Sequence, residues 1–164
     1  MKVLLENDSF VLGQEADQMR ALGVMLMISG LAPAYAKEPL FTIMERYQAA
    51  IRTGTYGLLY ERSGPGGSAE VPVALVTWAF LSRACGVTFA ERMRPLYPTE
   101  LRSGNKLWVI DIVSPFSHAK EVKALFEEIH KDYADYAYTK MRSGKWRTEV
   151  VKNAFAAGQA KQEV

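Results

Sequence analysis

The chain has 164 residues, which suits one domain and leaves little room for two. Its formal net charge is +2, a balance too mild to imply a nucleic-acid partner. Hydrophobic residues make up 49% of the sequence, enough to bury one ordinary core.

The chain opens Met1-Lys2 and runs into Glu6, Asn7 and Asp8, with no signal-peptide pattern. Gln14 to Ser29 predicts a helix that starts polar and turns almost wholly apolar. Its apolar run, Ala21 to Pro33, is shorter than the roughly twenty residues that span a bilayer. The expectation is a soluble cytoplasmic protein whose first helix is deeply buried or half of an interface, so a homodimer is compatible with it. Gly30 and Pro33 end this helix, leaving Leu31 to Lys37 as a loop. A second helix starts at Pro39, with Leu40, Ile43, Met44, Tyr47 and Ile51 on one stripe, and closes at Arg52 and Gly54.

Thr55 to Tyr60 and Val71 to Leu81 predict an antiparallel strand pair across the Ser63–Ser68 connection. The glycines of that connection lack the Gly-Lys-Ser/Thr ending of a phosphate loop. Ser82 to Arg102 reads as irregular with a short helix near Phe89 to Met93, and Cys85 within it reads as a packed thiol. Lys106 to Val113 predicts a third strand, apolar on both faces apart from Asp111. Pro115 lacks an amide donor, so neighbouring strands should diverge near Ser114-Pro115. Ser117 to Asp132 is an amphipathic helix with Ser117 as N-cap and Val122, Leu125, Phe126 and Ile129 on its buried stripe. Tyr136 to Arg142 and Trp146 to Phe155 form a final hairpin around Ser143-Gly144, and 156–164 is a tail. The expected fold is α+β or mixed α/β: residues 1–155 as one domain, with a largely antiparallel mixed sheet flanked by helices.

Asp111 is the residue whose chemistry needs explaining. A carboxylate in so apolar a strand is costly to bury unless paired or hydrogen-bonded. It is either a structural partner at a sheet edge or helix cap, or an acid that orients a base or binds an amine at a cleft. His130 follows Ile129 on the polar side of its helix and reads as a solvated surface residue; His118 reads as a surface or capping residue. Neither has a second ligand at metal spacing, so no metal is expected. Lys140, Arg142, Lys145, Arg147 and Lys152 make the last hairpin basic, and strand alternation should spread them over two faces.

Trp108-Val109-Ile110-Asp111 followed by Ser114-Pro115-Phe116 resembles the signature of the RTX toxin-activating lysine acyltransferases. Three further blocks agree in order and spacing: Ala21-Leu22-Gly23 through Ala32-Pro33-Ala34-Tyr35, Pro39 with Ile51 to Leu59, and Pro72 to Ala79 around Trp78. The resemblance implies a GNAT-like fold in which splayed strands admit a thioester arm. It also implies transfer of a fatty acyl group from acyl carrier protein, as co-substrate, to lysine ε-amines of an RTX-type protoxin, with no bound cofactor. The implied site has Asp111 and Tyr35 as catalytic residues, with Trp78, Ser114 and Pro115 lining the substrate. Tyr35 stands where the family carries histidine, and Ala32 and Ala36 where it carries serine and arginine. Imidazole, near pKa 6.5, is a suitable base for a lysine amine, whereas a phenol near 10 is a poor one. Tyr35 then either donates to a leaving thiolate or oxyanion, or only packs. The second reading is a non-catalytic relative that binds a thioester or a protein partner. The acetyl-CoA loop of GNAT enzymes, Arg/Gln-x-x-Gly-x-Gly/Ala, is absent from this sequence.

Overall fold

The computed structural model describes residues 2–4, 8–12, 18–35, 37–64, 69–143 and 145–159. Its centre is one seven-stranded sheet in sequence order: β1 (Lys2–Leu4), β2 (Asp8–Leu12), β3 (Tyr56–Ser63), β4 (Ala69–Leu81), β5 (Lys106–Val113), β6 (Asp135–Arg142) and β7 (Lys145–Lys152). Every neighbouring pair is antiparallel except β5–β6, which is parallel. This is the expected single α/β domain with a largely antiparallel mixed sheet, consistent with a GNAT-like acyltransferase fold. The expected residues 14–17, 36, 65–68, 144 and 160–164 lie outside the described ones.

Helices cover both faces. α1 (Gln18–Gly30) and α2 (Leu40–Thr53) pack Met25, Ile28, Ile43, Tyr47 and Ile51 against Leu58, Leu75 and Val113. α3 (Arg83–Arg92) and the single turn α4 (Pro98–Leu101) extend that layer, burying Phe89 and Leu101 against Leu81 and Trp108. The opposite face belongs to α5 (Ala119–Ile129), whose Val122, Leu125 and Phe126 pack on Val76, Trp78, Val109 and Tyr136. Short α6 (Ala154–Gln159) follows β7. α2 stops where expected: Gly54 takes the left-handed conformation at φ 65° and returns its amide to Ala50 and Ile51 carbonyls. No helix among the described residues is long and apolar enough to cross a membrane.

Several local expectations are corrected. α3 is a full ten-residue helix, capped by the Ser82 hydroxyl accepting from the Cys85 amide, where an irregular segment with a short helix was expected. Ser117 adopts φ 69°, so the N-cap of α5 moves to His118. β7 ends at Lys152, and helix replaces the expected strand end and the start of the tail. His130 is buried, not solvated. α5 ends at Ile129, and the His130 ring turns in against Trp78, Phe126 and Tyr133. Burial among these rings lowers its pKa below the ordinary imidazole value. Asn153, wholly buried, donates to the Glu127 and His130 carbonyls and ties the end of α5 to the strand behind it.

Gly104 sits where two chain segments meet, its amide bonded to the Phe80 carbonyl. A Cβ there would lie 2.4 Å from the Ser82 nitrogen and 2.6 Å from the Leu81 carbonyl. Both are backbone atoms that cannot swing aside. Gly104→Ala should therefore destabilise the fold by about 1–3 kcal/mol, the range for overpacking, read from the urea midpoint. An unchanged midpoint would refute that packing.

Candidate active site

The site is built at a flaw in the central strand. The β4–β5 register runs Thr77↔Asp111 and then Trp78↔Val109, so Ile110 is an extra, bulged residue. Strand alternation alone would put Asp111 on Val109's face, beneath α5. The bulge re-aims it to the other face, where Val113 packs with α1 and α2. Its carboxylate there meets side chains from the loop after α1 and from α2.

That loop is a pair of tight turns. The Tyr35 amide donates to the Ala32 carbonyl and the Glu38 amide to the Tyr35 carbonyl, each at 3.0 Å. The Tyr35 hydroxyl donates to Asp111 Oδ1 in a short hydrogen bond. Arg46 of α2 donates through one nitrogen to Asp111 Oδ2 at 3.1 Å and through another to Glu38 Oε2 at 3.0 Å. Its guanidinium also lies 5.8 Å from the Tyr35 ring centre. Asp111 and Arg46 side chains keep only 17% and 16% of their exposure, so this ion pair is largely shielded from water. Behind it, Tyr47 and Ser29 share a buried hydroxyl contact of 2.5 Å.

Burial pushes the Asp111 carboxyl above the usual carboxylate range, against the opposing pull of Arg46 and the Tyr35 hydrogen bond. Burial and the adjacent Asp111 charge push the Tyr35 phenol far above its ordinary value. Tyr35 is therefore a fixed proton donor at neutral pH and not a base. Its hydroxyl is committed to the carboxylate.

Asp111 also stands between two cavities. One, of about 410 Å³, is mostly apolar and opens where β5 and β6 part, walled by Val109, Ile112, Phe126, Tyr136, Tyr138 and Val151. The other, of about 300 Å³, is more polar and is walled by Tyr35, Glu38, Arg46, Phe89 and Arg94. Ile110, Asp111 and Met93 border both. The parting of strands is real but lies earlier than expected. β5 and β6 bridge at Trp108↔Ala137, and β5 then follows β4 alone to Val113, so divergence begins before Asp111 and not at Ser114-Pro115.

The structure thus joins Tyr35 to Asp111 and places Trp78, Ser114 and Pro115 elsewhere. Trp78 is buried under α5 against Phe126 and His130. Ser114 and Pro115 lie in the turn beyond β5, and neither borders the two cavities. The Ser114 hydroxyl, like that of Thr77 opposite Asp111, is buried with no hydrogen-bond partner among the described residues. Arg46 and Glu38 went unrecognised in the sequence, although a carboxylate in an apolar strand calls for a cation. Arg46, next to Tyr47 on the edge of the α2 stripe, was the place to look. Among the described residues no three His, Cys, Asp or Glu side chains are grouped to hold a metal.

A family model described as the RTX toxin acyltransferase family matches residues 14–154. The chain belongs to this family. It is 36% identical over 76 residues to a leukotoxin-activating lysine-acyltransferase, LktC, of a Pasteurella haemolytica-like species, covering 46% of each protein. To the serotype A1 LktC of Mannheimia haemolytica it is 30% identical over 88 residues, covering 54% of this chain and 51% of the relative. To the leukotoxin-activating LtxC of Aggregatibacter actinomycetemcomitans it is 24% identical over 151 residues, or 92% of this chain and 84% of that one. In the first two comparisons the chain spans about half the length of the curated relatives it matches.

Proposed function

We propose that this protein is a protein-lysine acyltransferase that takes an acyl group from acyl carrier protein and places it on lysine ε-amines of an RTX-type protoxin. The observation that carries this reading is the position of Asp111, a shielded carboxylate held by Tyr35 and Arg46 between an apolar cleft and a polar pocket. The cleft between β5 and β6 suits an acyl thioester arm. The pocket beside Glu38 and Asp111 suits the approach of a cationic lysine.

In this scheme the lysine amine attacks the thioester carbonyl carbon. The ammonium first gives one proton to the Asp111 carboxylate, and the neutral amine forms the C–N bond as the C–S bond breaks. The second nitrogen proton goes to the departing thiolate to give the free thiol, and Asp111 returns its proton to solvent. Arg46 draws Asp111 toward its ionised form against the effect of burial and holds it in place, and Tyr35 fixes the other carboxylate oxygen. The proton acceptor is the carboxylate, not the phenol.

One observation favours a second reading, a relative that binds without catalysis. Both Asp111 oxygens already accept hydrogen bonds, from Tyr35 and from Arg46, which weakens them as proton acceptors. The test is intact-mass analysis of a lysine-bearing RTX protein incubated with acyl-ACP and the wild-type chain. The transfer reading predicts a mass gain of one acyl group or more. No gain where an active family member acylates the same protein from the same donor would sink it and leave the binding reading. Tyr35→Phe should slow transfer about tenfold, less than loss of the carboxylate, because the phenol positions Asp111 without exchanging protons. Tyr35→His is the companion variant, since imidazole offers a second acceptor beside Asp111.

A further inference from the structure

The last hairpin distributes its charge differently from the two-faced spread expected of it. β6 and β7 pair without interruption from Asp135↔Lys152 to Arg142↔Lys145. Directly opposed residues share a face, and every second residue returns to it. Lys140 opposes Arg147 and Arg142 opposes Lys145, so four cations stand on one face. Only Lys152 falls on the other, near Asp135. All four cations are exposed.

Like charges set directly opposite one another cost stability, so this face is a poor choice for folding alone. One carboxylate moderates it: Glu149 lies 3.0 Å from Arg142 and accepts from the Tyr138 hydroxyl. The same rows of residues run inward through Tyr138, Tyr136 and Val151, which wall the apolar cleft. Parallel register adds a second link. Past the Trp108↔Ala137 bridge the extra residue at Ile110 takes up one step of β5, so Asp111 stands nearer the level of Thr139, which borders the cleft with it, than of Lys140. The cations therefore begin one residue beyond the wall of the cleft, across the parting of the strands from Asp111 and on the α5 side of the sheet.

We propose that this four-cation face is the docking surface for the acidic carrier protein that presents the acyl thioester, seating it so that its arm enters the β5–β6 cleft. The proposal rests on the acyl-transfer reading. Charge complementarity of this kind acts mainly on encounter and orientation. The chain's small overall net charge and the carboxylate within the patch fit a protein surface better than a phosphate backbone.

The experiment measures binding of a carrier protein bearing a non-transferable thioether-linked acyl chain, by fluorescence anisotropy, at about 50 mM and about 500 mM salt. It also measures transfer from carrier protein and from the small donor acyl-pantetheine. Lys140→Glu/Arg147→Glu should weaken carrier binding roughly tenfold at low salt and leave transfer from acyl-pantetheine unchanged. Lys37→Glu/Lys131→Glu, an equal change of charge at exposed positions off this face, should alter binding less than about twofold. Three results overturn the proposal: carrier binding unchanged in the first variant, equal weakening in the second, or tighter binding of a DNA duplex than of the carrier to the same face. A wild-type chain that transfers from acyl-pantetheine without binding carrier overturns the docking surface and spares the acyltransferase reading. A chain that does neither overturns both.

Discussion

Asp111→Asn should abolish acyl transfer, by about 100- to 10,000-fold, without lowering the melting temperature. The amide matches the carboxylate in shape and can still receive the Tyr35 hydrogen bond, so the geometry of the pocket survives. It cannot take up the amine proton. The stability half of the prediction follows from the direction of the Asp111 shift. Its folded-state pKa is raised above the carboxylate range, with burial the largest cause. A group shifted upward favours the folded state when protonated, and that contribution is present at low pH and fades as pH rises through the folded pKa. Above that pKa the ionised side chain is thus a net cost, which an uncharged isostere relieves while Arg46 keeps its bond to Glu38. Wild-type transfer should likewise show an acid limb above the ordinary carboxylate range, rising with pH as Asp111 ionises. Mass-detected transfer and calorimetry check the two halves. A variant that melts well below wild type would show that the ion pair holds the fold together. A variant that still transfers would remove Asp111 from the chemistry.

The parts of this molecule legible in the sequence are those where one local rule dominates. Regular apolar spacing marked α2 and α5, and dense strand formers marked β3, β4 and β5. The short strands β1 and β2 were not foreseen. Each holds only a short apolar stretch beside the polar Glu6-Asn7-Asp8, and pairing defines them more than composition does: β2 pairs with β3, and β1 with β2. His130 misled because helical spacing was carried one residue past the helix, onto a capping position where the wheel no longer assigns a face. Asp111 was singled out correctly as an anomaly, but its orientation depends on the bulge at Ile110, and a bulge is a relation between two strands that neither one announces. The cation face is the same kind of case. Alternation within each strand was known, but only the register of Lys140 with Arg147 shows that the two sets coincide.

Arg46 carries the other large expectation, as a positioning residue that acts through Asp111. Arg46→Met should cut transfer at neutral pH by about tenfold or more and move the acid limb of the pH–rate profile upward. The guanidinium beside Asp111 pulls the carboxyl pKa down against the effect of burial, so its removal lets burial act with less opposition and the base ionises only at higher pH. At sufficiently alkaline pH the variant should recover much of the lost rate, which a purely structural defect would not do. Arg46→Lys should restore the profile in part, because an ammonium supplies the charge without the fork that spans Asp111 and Glu38. Stability should fall by about 1–3 kcal/mol in the methionine variant near neutral pH, less than a fully buried pair loses because both partners keep some exposure to water. That loss should shrink as pH falls, since a protonated Asp111 no longer needs the cation. The measurements are transfer rates and urea midpoints across the pH range for the wild type and both variants. An acid limb that stays where it was while the rate drops uniformly would mean that Arg46 acts on substrate binding or on the fold, and not through the ionisation of Asp111.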